Sequence, residues 1–226
     1  KTRASMMPGQ TQDANSKPQT LNFQQALDLA VKHYQAGNLS KAENIFNQIL
    51  QADSNQPQAL HLLGVIAYQG GDNERAAELM EKAITNHPDY AEAHSNLGNV
   101  LKKLGKREEA VICYEKVISL KPSDAEAHNK LGVIFKELGQ LERSVASYEK
   151  AIALKPDYSN AYNNLGIVQK KLGNSDEAVG SYKKALQYDP NDSAAHNNLG
   201  LALTKLGRLE EAIECFEQAD IDHSRP

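Results

Sequence analysis

The stretch "AHNNLGLALTKLGR", residues 195–208, decides the fold, because the chain has already said nearly the same thing three times. "AHSNLGNVLKKLGK" begins at residue 93, "AHNKLGVIFKELGQ" at 127 and "AYNNLGIVQKKLGN" at 161, each 34 residues after the last. Aligned on this phrase, six units cover 23–56, 57–90, 91–124, 125–158, 159–192 and 193–226, opening at Phe23, Pro57, Ala91, Ala125, Ser159 and Ser193. A strict period of this length marks an array of helix–turn–helix units. In the third unit His94, Leu97, Gly98 and Leu101 form one apolar stripe at helical spacing, and after Gly105 a second runs through Ala110, Tyr114 and Val117. Each unit therefore reads as two amphipathic helices joined at a glycine.

Small and large residues occupy fixed columns. Gly64, Gly98, Gly132, Gly166 and Gly200 allow close helix approach, as do Ala42, Ala76, Ala110, Ala178 and Ala212, where Ser144 is the exception. Phe46, Tyr114, Tyr148, Tyr182 and Phe216 fill the space beside them, with Met80 in the second unit. Gly37, Gly71, Gly105, Gly139, Gly173 and Gly207 stand where the first helix stops. Pro88, Pro122, Pro156 and Pro190 end the units, because proline cannot continue a helix. The residues after them, Asp89, Ser123, Asp157 and Asn191, are expected to cap the following helix. One unit cannot bury its own stripe, so neighbours must stack.

Composition narrows the function. Apolar residues make up 40% of 226, enough for a core, and a net charge of −4 singles out neither nucleic acid nor membrane as a partner. No apolar run is long enough to span a bilayer, and the start "KTRASMMPGQTQDANSKPQT" has no signal-peptide core. Residues 1–5 read as a cloning remnant, with Met6 or Met7 the natural start, and 1–22 as a flexible tail; ordered residues among 1–20 are expected to lie along a binding face. Cys113 and Cys215 share a column three repeats apart, too far for a disulfide, and read as reduced fillers consistent with a cytoplasmic protein. No nucleophile motif, phosphate loop or metal-ligand cluster occurs, so the expectation is a binding module, not an enzyme, with no cofactor and no metal.

The columns Leu-Gly, Gly, Ala, Tyr/Phe, Ala and Pro at a period of 34 resemble the tetratricopeptide repeat family over about residues 23–226. The resemblance implies an all-α, right-handed superhelical solenoid whose first helices line a concave groove for a peptide or extended protein segment. The first unit departs from the pattern, with Ala30 for the glycine and Ser54 for the proline. Positions two, six, nine and thirteen of a unit share one face of its first helix. They are Glu92, Asn96, Asn99 and Lys103; Glu126, Lys130, Val133 and Glu137; Asn160, Asn164, Ile167 and Lys171; and Ala194, Asn198, Leu201 and Lys205. Beside them lie Asn129, Asn163, Asn197, Lys102, Lys136 and Lys170.

Amides carry both donor and acceptor, so the asparagines suit a peptide backbone, while the lysines suit carboxylates. Asn96, Asn164 and Asn198 resemble the asparagine ladder of O-GlcNAc transferases, broken here by Lys130. The column Leu27, His61, Ser95, Asn129, Asn163 and Asn197 lacks the first lysine of the chaperone-binding clamp found in other members, which argues against that ligand. His94, His128 and His196, a full repeat apart, read as packing residues rather than metal ligands. The leading function is thus a groove for a protein or peptide segment, acidic in part. Two alternatives are a docking arm for a larger glycosyltransferase or sulfotransferase, by analogy with bacterial arrays, and a self-assembling scaffold. Ile213, Phe216 and Ala219 are expected to leave an uncovered apolar face, to be met by further chain or by end-to-end association.

Overall fold

The computed structural model describes residues 22–223, and all regular structure among them is helical. The chain forms two compact units that divide between Ser54 and Asn55. The first holds α1 (Phe23–Gln35) and α2 (Leu39–Ala52), which pack together with Leu27, Ala30, Ala42, Phe46 and Ile49 buried. The expectation for residues 1–20 lies outside the described residues.

The second unit holds five pairs. These are α3 (Pro57–Gln69) with α4 (Asn73–Asn86), α5 (Ala91–Lys103) with α6 (Arg107–Leu120), and α7 (Ala125–Glu137) with α8 (Leu141–Leu154). The last two are α9 (Ser159–Lys171) with α10 (Ser175–Tyr188), and α11 (Ser193–Lys205) with α12 (Leu209–His223). Within this unit every helix packs on the next in sequence. First helices of neighbouring pairs also meet directly, α3 with α5, α7 with α9 and α9 with α11, and the Lys102–Glu137 ion pair joins α5 to α7, so these helices form one wall.

Within each pair a hollow receives a ring. A methyl group added at Gly132 would stand 2.7 Å from the Tyr148 ring, and one at Gly166 only 2.6 Å from Tyr182. Tyr148 and Tyr182 are fully buried there. The serine in the alanine column is accommodated because Ser144 Oγ donates to the Gly132 carbonyl at 2.7 Å, so its hydroxyl is not buried unpaired. The turn inside each pair needs a left-handed residue, as at Gly105 (φ 78°) and Gly173 (φ 90°).

The junction between pairs corrects the capping expectation. Asp89, Ser123, Asp157 and Asn191 are not caps; the N-caps are Tyr90, Asp124, Tyr158 and Asp192. The Lys121 carbonyl accepts from the Asp124 N–H at 3.0 Å, and the same bond joins His87 to Tyr90, Lys155 to Tyr158 and Asp189 to Asp192. The proline and its follower thus occupy the middle of a four-residue turn, where proline's fixed φ suits the first central position, and the cap comes one residue later.

Of the three residues expected to be uncovered in α12, Ile213 is 56% exposed and Phe216 is half-buried, but Ala219 is buried. Ala219 shares its column with Val117, Ala151 and Ala185, all buried, which shows that this column serves the interior of its own pair.

Candidate functional site

The wall of first helices carries three tracks. Positions five and six of each unit bring side chains from neighbouring helices together 35 residues apart in sequence. Asn96 Nδ2 donates to His61 Nε2 at 2.8 Å, Asn164 Nδ2 to Asn129 Oδ1 at 3.4 Å, and Asn198 Nδ2 to Asn163 Oδ1 at 3.1 Å. The fourth link is missing because Lys130 follows Ser95. Its ammonium instead pairs with Glu126 at 2.7 Å and lies 5.9 Å from the centre of the Tyr114 ring, within cation–π range.

Residues outside the tracks decide how much of each amide is left over, and sequence reasoning did not find them. Tyr90, capping α5, reaches back 29 residues so that His61 Nδ1 and its hydroxyl stand 2.9 Å apart. With Nε2 accepting from Asn96, the ring proton sits on Nδ1 and donates to that hydroxyl. His61 is thereby enclosed, and burial lowers its pKa to about 4 against the opposing pull of Glu92. Tyr158 stands in the same relation to Asn129, whose Nδ2 donates to it at 3.4 Å. Asp124 and Asp192 fill the alternate cap positions and turn inward to their own helices, accepting from the Ala127 and Ala195 N–H groups. No tyrosine therefore stands over Asn163. The available signal was the alternation Tyr90, Asp124, Tyr158, Asp192 in one column.

The middle track is position nine: Val65, Asn99, Val133, Ile167 and Leu201. Asn99 Oδ1 accepts from the Tyr114 hydroxyl at 2.7 Å. The three apolar members that follow are half-buried at Val133 and Ile167 and 53% exposed at Leu201.

The lysine track lies at positions twelve and thirteen. Glu137 gathers Lys102 at 3.3 Å and Arg107 at 2.9 Å, and this depresses its carboxyl pKa despite the opposing effect of burial. Tyr68, Asn99, Lys102, Lys103, Arg107 and Glu137 line a pocket of about 330 Å3. Lys136 is half-buried, and burial together with the charges of Lys171 and Lys102, against the opposing charge of Glu137, holds its pKa below the ordinary lysine value. Among the described residues, Lys103, Lys136, Lys170, Lys171 and Lys205 have no ion-pair partner.

The histidine column has its own use. His94 and His196 each place Nε2 2.9 Å from a carbonyl six residues earlier, Pro88 and Pro190 respectively, tying the turn to the helix it precedes. Cys113 sits in the core, and burial pushes its thiol up to about 12.

An all-α repeat array with one polar wall built from successive first helices is the architecture of a protein-interaction module. The chain belongs to the tetratricopeptide repeat family. The "Tetratricopeptide repeat" family model matches residues 27–91 and 163–226, the "TPR repeat" model 99–139 and 134–173, and a further tetratricopeptide model 79–111. No curated protein sequence matches it. Among solved structures it is similar to MamA, at 27% identity and a TM-score of 0.67 over 71% of this chain and 94% of that one. A MamA structure from Desulfovibrio magneticus RS-1 aligns at 22% identity and TM-score 0.70, covering 75% and 96%. YrrB, described as a tetratricopeptide protein with an unusual peptide-binding site, aligns at 20% identity and TM-score 0.65, covering 78% and 91%. The last two identities speak for the fold alone. Among the described residues no helix is long and apolar enough to cross a membrane.

Proposed function

We propose that the wall formed by α5, α7, α9 and α11 holds an extended peptide or protein segment. The observation that carries this reading is the coexistence of amide groups and lysines without ion-pair partners on one continuous face. Each asparagine in the bridges uses one donor or acceptor on its neighbour and has others to offer, which is what a peptide backbone requires. The lysines add attraction for carboxylates at little cost to the fold, since exposed charges are individually worth well under about 1 kcal/mol. Catalysis forms no part of this reading; recognition does.

The test replaces Lys103, Lys136 and Lys171 with glutamate together. The variant is expected to melt within about 2 °C of the parent, because none of the three is paired. Proteins retained from an extract of the source cell, compared by quantitative mass spectrometry at low and moderate salt, should be lost selectively. Equal retention by the two proteins refutes the reading.

A further inference from the structure

The wall is not uniform along its length, and its two ends differ in a way that bears on the partner. The inference rests on the segment-binding reading above and narrows it. Toward α5 the amides and lysines other than Lys103 are engaged within the molecule: Asn96 by His61, Asn99 by Tyr114, Lys102 by Glu137, and on α7 Lys130 by Glu126. Toward α9 and α11 the asparagines bond only to one another along the track, and among the described residues the lysines carry no ion pair. Asn163 has no tyrosine over it, and Lys171 and Lys205 have no acid among the described residues.

The reason is written in the helices themselves. α9 and α11 contain no Asp or Glu at all, while α5 carries Glu92 and α7 carries Glu126 and Glu137. Most acids of the same repeats sit on the second helices, among them Asp176 and Glu177 on α10 and Glu210, Glu211, Glu214 and Glu217 on α12, while Asp189 and Asp192 lie in the turn before α11. A chain with net charge −4 thus keeps one face positive and places Lys136 where burial, Lys171 and Lys102 outweigh the attraction of Glu137. A like-charged cluster of this kind attracts an anionic partner, and burial strengthens the attraction by lowering the local dielectric.

Between the amides and the lysines runs the apolar track of Val133, Ile167 and Leu201, the last more than half exposed. Within α11 the three chemistries lie three and four residues apart, Asn198 then Leu201 then Lys205, on one helix face about 4.5 Å and 6 Å apart along the axis. An extended strand presents backbone groups at its edges and same-side side chains every ~6.6 Å.

We infer that the α9–α11 end of the wall takes an extended polypeptide carrying apolar side chains interspersed with carboxylates. Its backbone edge faces Asn163 and Asn198, its apolar side chains rest on Ile167 and Leu201, and its acids are drawn to Lys136, Lys171 and Lys205. The α5 end contributes less, because of its amides and lysines Asn96, Asn99 and Lys102 have partners already and, among the described residues, Lys103 alone does not.

The experiment uses the full chain and a fluorescein-labelled peptide of about ten residues, an extended length of ~33 Å, with leucine alternating with glutamate. Anisotropy titrations compare it with a leucine–lysine peptide and a serine–glutamate peptide. The leucine–glutamate peptide should bind best, and its affinity should fall as salt is raised. Reversal of Lys136, Lys171 and Lys205 to glutamate should weaken it about thirtyfold or more, and Leu201→Ser about fivefold. Lys150→Glu, on the second helix α8, should change it less than about twofold. Circular dichroism melts confirm that each variant is folded. Equal or tighter binding of the lysine or serine peptide overturns the chemistry. Loss of binding with Lys103→Glu and Arg107→Glu, but not with the α9–α11 variants, overturns the location and leaves the segment-binding reading standing. If none of the three peptides binds, this inference falls; the broader reading falls with it only if the Lys103, Lys136 and Lys171 variant also retains the same cellular proteins as the parent. Sedimentation showing that Leu201→Ser converts a dimer to a monomer assigns the face to a second copy of the chain and overturns the inference as well.

Discussion

The α3–α5 end and the α9–α11 end of the wall are built on the same backbone template, and α5 and α11 read much alike in sequence, yet one end is more closed and the other more open. At the first, Asn96 donates to a buried histidine that a tyrosine seals from behind. At the second, Asn198 donates to Asn163, and the corresponding cap residue is Asp192, which turns to its own helix. The lesson is that a repeat array controls which of its polar positions reach a partner through the residue at the turn, not only through the residues on the face.

The largest expected effect tests the closed end. The unfolded chain protonates His61 near its ordinary pKa of 6.5, whereas the folded chain resists until about 4. The stability contributed by the neutral ring is therefore complete above pH 6.5 and is lost as pH falls toward 4, by roughly 3 kcal/mol. Urea denaturation of the parent and of His61→Asn across this window should show a steeper fall in the parent. Parallel curves would mean that the ring is not sealed and would erase the contrast with Asn129 and Asn163, which do not titrate.

A middle-sized effect compares tyrosines in one column. The Tyr114 hydroxyl donates to Asn99, while the buried Tyr182 hydroxyl has no protein partner among the described residues. Tyr114→Phe should cost about 1 kcal/mol and release Asn99, whereas Tyr182→Phe should be neutral within ~0.5 kcal/mol. Similar losses in chemical denaturation would show that the hydroxyl at the closed end does no more than the one at the open end.

The smallest effect is at Lys136. Removing its charge with methionine relieves the cluster with Lys102 and Lys171, so stability should rise by a few tenths of a kcal/mol, on the order of a like-charge pair, while affinity for an acidic peptide drops. A variant that loses stability and keeps affinity would show that the charge serves the fold.

Much of the fold was legible because its determinants are matters of size and backbone conformation repeated at one interval. Gly132 and Tyr148 announce a hollow and its filler, and Gly105 announces a turn that only a left-handed residue makes easily. The junction was misread by one residue: Ser123 and Asp157 have good capping chemistry, but the turn that proline imposes sets the cap at Asp124 and Tyr158. Local propensity gave way there to turn geometry.

The sequence by itself determined the twelve helices of the described residues, the columns that join each pair, and the gathering of asparagines and lysines on first helices. It also held the absence of acids from α9 and α11, since that is a property of the letters alone. Only the tertiary structure decided which of those side chains are free. Tyr90 meets His61 across 29 residues and Asn198 meets Asn163 across 35, and neither distance is visible in the periodicity of any one helix. The physical reason is that helix formation and close packing answer to a residue's own size and its neighbours within a turn. Hydrogen-bond satisfaction depends instead on a partner delivered by another repeat, so two positions with the same letter, Asn96 and Asn198, have different neighbours and different groups left to offer.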